Sequence, residues 1–308
     1  MLQNTIERNK GFSLLELMVA IAILLTVSGA ALYGLAFFQT NYSSTSLRQN
    51  LHASMRSATE LLEQEVGQAG LLTGLPGVST ITITAPATVS ASAAPQIVTL
   101  SSTTNMFVGE KLLVDLDANQ ESVAITAIAG STITGVFTNP HSSGALVSLV
   151  GVFPQGVMTT STATQLQLIG DINSDGNLYY VVYNCNPSAT APYGTLTRSI
   201  TQLPAIAASA ADTLVQSVIP NPSGAACFTY GPTNSVTVNG TTYQFITSVG
   251  ITVTTQSSQP DPQTKQYVSM TKSFLNVTPR NVLYGYNLAT AKLTGRLQPL
   301  PPQGTYRP

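Results

Sequence analysis

Between Phe12 and Phe38 nearly every position is apolar, and the only charged side chain there is Glu16. From Leu17 through Leu47 no Asp, Glu, Lys or Arg occurs. A helix over Phe12–Phe38 would rise about 40 Å, more than the roughly 30 Å hydrocarbon core of a bilayer, so the segment reads as membrane-spanning. Arg8 and Lys10 ahead of it place the N-terminus on the cytoplasmic side and the rest of the chain outside. Beyond the apolar run the pattern changes and stays helical. Leu47, Leu51, Met55, Ala58, Leu62, Glu65 and Ala69 recur at helical spacing, while Arg48, Arg56, Glu60 and Glu63 lie off that line. The stripe predicts one helix continuing to about Val66 and released at Gly67 or Gly70. It is short for a coiled-coil seam, so packing on the following region is the favoured fate.

From Leu71 the helical period disappears. Short Val, Ile, Thr and Tyr runs alternate with Gly, Pro, Asn and Ser, which predicts an antiparallel β-rich head over 71–308 and an α+β fold. Residues 85–96, APATVSASAAPQ, read as a linker. Over 97–150 four strand signals follow closely, at Lys111–Asp115, Glu121–Ile125, Ser131–Gly135 and Ala145–Leu149, which predicts an inserted small β module. The proline-rich end, 297–308, reads as an irregular tail.

Composition narrows the function classes. The 308 residues are long enough for about two domains, yet only 8% are charged and the net charge is −1. Nucleic-acid binding by bulk positive charge is excluded, and two His with two Cys far apart give little material for a metal cluster. There is no Gly-rich phosphate loop, no G-x-S-x-G and no Cys–His pairing for nucleophilic catalysis. An enzyme is not expected.

Glu16 decides how the N-terminus is read. A basic leader, an apolar run from Leu17 to Val27 and Ser28-Gly29-Ala30 would satisfy a cleaved secretory signal, giving a mature chain from about Ala31. A carboxylate inside the apolar run costs roughly 2.5–3.5 kcal/mol on insertion, which a discarded signal has no reason to carry. The stretch Lys10-Gly11-Phe12-Ser13-Leu14-Leu15-Glu16-Leu17-Met18, followed by the apolar run, resembles the class III signal of type IV prepilins and of the pseudopilins of type II secretion. The resemblance implies a cleaved leader over 1–11, cut after Gly11 by a prepilin peptidase, with methylation of Phe12. It also implies a retained pilin helix over 12–70, of which 12–38 is transmembrane and later filament core. Glu16 is implied to pair with the N-terminal amine of a neighbouring subunit.

Two further stretches, Arg56–Gly70 (RSATELLEQEVGQAG) and Thr278–Val282 (TPRNV), resemble the PilW group of minor pilins and the related pseudopilin J group of type II secretion. The function so implied is a minor pilin acting in initiation or at the tip of a type IV pilus. A pseudopilin of type II secretion and a DNA-capturing pilus subunit are the alternatives. Implied partners are the prepilin peptidase, major and minor pilins, the inner-membrane assembly platform and, before assembly, the lipid bilayer. Nucleic acid is the disfavoured partner. The implied location is the inner membrane, crossed once with the head outside the cytoplasm, then a pilus or periplasmic filament.

The head offers few candidate sites. Cys185 and Cys227 lie in strand-like, Ser/Thr/Asn/Gly-rich surroundings that suit an oxidising compartment, so a disulfide between them is expected, with two separate buried thiols as the alternative. Asp171, Asn173 and Asp175 ahead of Gly176 reproduce the first half of a calcium loop, but Tyr179 and Val182 stand where the second half needs oxygen ligands. No other cofactor is expected. Asp115 and Asp117, with Glu110 and Glu121 nearby, read as solvated rather than catalytic. His52 and His141 read as surface residues. After Asp261 no acidic residue occurs, whereas Lys265, Lys272, Arg280, Lys292, Arg296 and Arg307 do, interleaved with tyrosines. A solvated face meeting acidic neighbours is favoured there over base stacking.

Overall fold

A computed structural model describes residues 13–73, 79–80, 88–203 and 209–302. The long helix α1, Leu14–Gln68, packs through its second half on a β-rich antiparallel head, which makes the fold α+β. The chain divides into two compact units. One is α1 up to Asn50 with the connection Ser257–Val268, and the other is Leu51–Gln256 with the chain from Ser269.

In the larger unit the stripe on α1 meets the main sheet. Met55, Ala58, Leu62, Val66 and Ala69 are buried among Leu166, Leu168, Val181, Tyr183, Leu196 and Ile251. The sheet runs in the order Gln165–Gly170, Tyr179–Asn186, Gly194–Gln202, Asp212–Ile219, Val249–Gln256 and Phe228–Tyr230, and Ser269–Val277 pairs with Val249–Gln256. Along Tyr179–Asn186 alternation is strict. Val181, Tyr183 and Cys185 face the helix, while Tyr180 and Val182 join Leu72, Phe153 and Ile169 in a second cluster.

The helix stops for local reasons. Gly70 follows it at φ +85°, a conformation that favours glycine, and a side chain there would meet the Phe153 carbonyl and Val282. Asn281, in the first turn of helix α2 (Arg280–Thr290), donates its side-chain amide to the terminal carbonyl of Gln68 at 3.1 Å. One of the orphan carbonyls of α1 is thereby satisfied.

Residues 88–149 close around their own core of Val98, Leu112, Val123, Ile133, Phe137 and Val147. The chain enters and leaves this module through adjacent residues, since Leu71 pairs with Val152 and Leu72 with Gly151. The described residues 297–302 belong to no helix or named strand, but the first of them are built in, and Leu297 forms a parallel bridge with Val152. Leu297 and Gln298 are buried. The Gln298 side chain accepts from Lys111 N and donates to Lys111 O, both at 2.8 Å, and Ser122 Oγ donates to Gly295 O at 2.7 Å. These bonds hold the module to the C-terminal strap.

Candidate functional site

At the start of α1, Ser13 and Glu16 cap the helix reciprocally. The Ser13 amide donates to Glu16 Oε2 at 3.2 Å, and the Leu15 amide donates to Ser13 Oγ at 3.3 Å. Gly11 and Phe12 lie outside the described residues. From Leu14 to Phe38 the large side chains are exposed, as at Leu14 (76%), Leu25 (66%) and Phe38 (73%), whereas Met55 and Leu62 on the same helix are fully buried. Among the described residues, the first half of α1 is thus a row of exposed apolar side chains, with one carboxylate near its beginning. Its length and composition suffice to cross a membrane.

The second half of α1 carries a polar fastening. Glu65 lies in the apolar stripe and is 3% exposed. Tyr183 and Arg198 sit opposite each other on neighbouring strands, so both reach the same face of the sheet. Glu65 accepts from the Tyr183 hydroxyl and from two nitrogens of Arg198, the Nε contact being 3.1 Å. Burial, then the Glu65 charge beside it, holds the Tyr183 hydroxyl above its ordinary range. This triad joins helix to sheet. The stripe marked Glu65 as inward-facing, but no sequence signal pointed to its partners.

Cys185 and Cys227 form a disulfide, with Cα atoms 6.3 Å apart, inside the core between helix and sheet. Asp171 is fully buried, and its oxygens accept from the Asp175 and Gly176 amides, both at 3.0 Å, and from the Thr73 hydroxyl. Asp175 accepts from the Tyr179 hydroxyl at 2.6 Å and from the Asn177 amide at 2.9 Å, and chiefly the Tyr179 bond holds its carboxyl below the usual range. Asn173 is exposed on the same loop. What this arrangement does chemically is fix the turn between two strands. Among the described residues, no three His, Cys, Asp or Glu side chains are gathered as a metal site.

Two readings of the module need correction. His141 is not a surface residue: it is 1% exposed, with its ring edge-on to Phe137 at 5.9 Å. Its Nδ1 lies 3.0 Å from Asp115 Oδ2 and its Nε2 lies 2.7 Å from Glu121 Oε1. Each ring nitrogen is thus within hydrogen-bond distance of one carboxylate. The hydrogen bond from His141 holds Asp115 below its ordinary range. Burial opposes ionisation of Glu121, but bonds from Thr138, His141 and Asn139 outweigh it and hold that carboxyl low. Nor is Glu110 solvated. It is 1% exposed, and burial pushes its carboxyl up to about 8 against the opposing Phe107 amide. Asp115 and Glu121 lie at one end of the pairing of Lys111–Val114 with Glu121–Ala124, and His141 reaches them from a different strand pair, so spacing along the chain did not reveal the cluster.

Residues 7–32 match the family model of the prokaryotic N-terminal methylation motif. The match supports a class III signal of the type IV pilin kind, which implies processing by a prepilin peptidase and assembly with other pilins, and indicates a structural subunit rather than an enzyme. With the apolar helix near the N-terminus, it fits a pilin anchored in the inner membrane. No curated protein and no solved structure matches the chain.

Proposed function

We propose that this chain is a minor pilin of the PilW kind, a structural subunit that helps initiate type IV pilus assembly or sits in its tip complex. The observation that carries this reading is the methylation motif on a helix whose first half is apolar and exposed while its second half is sealed into the head. Before assembly the apolar half crosses the inner membrane once, with the head outside the cytoplasm. In the filament neighbouring helices take the place of lipid. Glu16 then has a use. A carboxylate in an apolar setting is tolerated when a cation compensates it, and the methylated amine of Phe12 on an adjacent subunit is the proposed partner.

Intact-mass measurement of the membrane-extracted protein tests the first step, with loss of residues 1–11 and gain of one methyl group expected. A mature chain beginning near Ala31 would overturn the reading. Glu16→Ala should still insert and be cut, yet enter filaments poorly beside unaltered subunits. Incorporation at the unaltered level would remove the docking role.

A pseudopilin of type II secretion is the second reading, favoured by the same motif and by the helix end at Arg56–Gly70 with Asn281 upon it. Neighbouring genes separate the two, pilus motor genes in one case and secretion genes in the other. The DNA-capturing alternative rests on the basic C-terminal residues, and salt-dependent DNA binding by the chain would be its sign.

A further inference from the structure

We infer that the connection Ser257–Val268 is a foot that stands on the outer surface of the bilayer and contacts anionic phospholipid headgroups through Lys265 and Tyr267. The inference deepens the proposed function and rests on its reading of α1 as membrane-spanning before assembly.

The connection is fastened to α1 at a defined height. Asp261 is fully buried and accepts from the Ser44 hydroxyl and from Arg48 Nη2, both at 3.0 Å. Its other oxygen accepts from the Gln263 amide at 2.8 Å, which closes the loop on itself. The Gln263 side chain donates to Asn41 Oδ1, and Pro262 and Gln263 line a cleft with Tyr33, Ala36, Phe37 and Thr40. About 20 helical residues span the hydrocarbon core. Counted from Leu14, that length runs out near Tyr33, so the turns from Tyr33 to Thr40 stand in the headgroup layer. A segment seated against those turns stands in the same layer.

The chemistry of the foot fits that layer. Gln263, Thr264, Lys265, Gln266 and Tyr267 are all exposed. The one acidic side chain of the connection, Asp261, is turned inward onto Arg48. Lipid therefore meets an ammonium, amides, a hydroxyl and a phenol, with no exposed carboxylate from the connection to repel phosphate. Tyr33 and Tyr42 on the helix are exposed beside it, as interfacial aromatic residues are. A single lysine near an anionic surface gains attraction that salt screens.

The chain contains no tryptophan, so single-tryptophan variants report position directly. The full chain is placed in nanodiscs of phosphatidylethanolamine and phosphatidylglycerol carrying a headgroup spin label. Phe38→Trp reports the headgroup end of the anchoring helix, Tyr267→Trp and Thr264→Trp report the foot, and the Cys185–Cys227 bridge checks the fold of each variant. Both foot reporters should lose most of their fluorescence to the headgroup label. Raising salt should recover part of it in these discs and not in discs of phosphatidylcholine alone, and Lys265→Gln should abolish the recovery. Asp261→Ala should release the foot and restore the Tyr267→Trp signal while Phe38→Trp stays quenched. Quenching of Phe38→Trp with neither foot reporter affected would overturn the foot and leave the anchor standing, as for a connection that faces a protein neighbour. An unquenched Phe38→Trp would sink both.

Discussion

Removing the Glu65 carboxylate should destabilise the head by about 3–5 kcal/mol, the range for a buried ion pair that loses one partner. An exposed pair would contribute less than about 1 kcal/mol. Burial decides between these values, because the side chains of Glu65 and Arg198 are 4% and 14% exposed. Glu65→Ala strands the Arg198 guanidinium and the Tyr183 hydroxyl under the helix, where little water can replace the lost oxygens. Glu65→Gln retains an acceptor and loses the charge, so its cost should be smaller. Glu65→Ala combined with Arg198→Ala should cost less than the two single changes added, with a coupling of roughly 1–3 kcal/mol. The assay is urea unfolding of the full chain in detergent micelles, followed by circular dichroism at a β-sheet wavelength. A loss below about 1 kcal/mol for Glu65→Ala, or additive costs in the cycle, would refute the argument that this pair acts as a buried one.

Reducing the Cys185–Cys227 bridge, which spans 42 residues, should lower stability by about 4 kcal/mol on the chain-entropy account, and an unchanged urea midpoint under reductant would contradict it. Because burial raises the Glu110 carboxyl from 4.5 to about 8, its contribution to stability is full below about pH 4.5 and is lost as pH rises through 8. Glu110→Gln, which keeps an acceptor for the Phe107 amide, should flatten that loss and raise stability at pH 8 by a few kcal/mol at roughly 1.4 kcal/mol per pH unit, read as melting temperature against pH. Asp115 and Glu121 act in the opposite direction: both are held low, so their contribution is present above about pH 4 and is lost on acidification below their ordinary range. Asn281→Ala should cost about 1 kcal/mol by leaving the Gln68 carbonyl without a donor, and should shorten protection of the last turn of α1 in amide exchange.

The helix was legible because its evidence is local. A stripe at helical spacing is written in consecutive residues, so it located the buried face and even the inward glutamate, and Gly70 was one of the two glycines expected to end it. The short Val, Ile, Thr and Tyr runs gave the class of the head but not the order of its sheet, since pairing is decided by contacts between residues far apart. Glu65 meets Tyr183 and Arg198 across 118 and 133 residues. His141 meets Asp115 and Glu121 across 26 and 20. Read singly, a histidine in a Pro-Ser-Gly loop and acids at strand ends look solvated. Only folding shows that each supplies the other's missing partner. Glu110 was read as solvated for a different reason, because a strand end that turns a carboxyl inward has the same local sequence as one that turns it out.

The two-rung neck at Leu71–Val152 and Leu72–Gly151 gives the module a property of its own. Because the chain departs and returns at one point, the intervening length can grow, shrink or be exchanged for a short turn without moving either end of the sheet that holds the helix. Lineages carrying such a subunit can therefore vary the module while the helix stays under the constraint of its neighbours, and recombination at the neck would transplant the whole unit. Such a transplant must respect the Gln298 and Gly295 contacts with Lys111 and Ser122 and the Asn105 bond to Asn177, so the C-terminal strap, that turn of the head and the module are expected to change together.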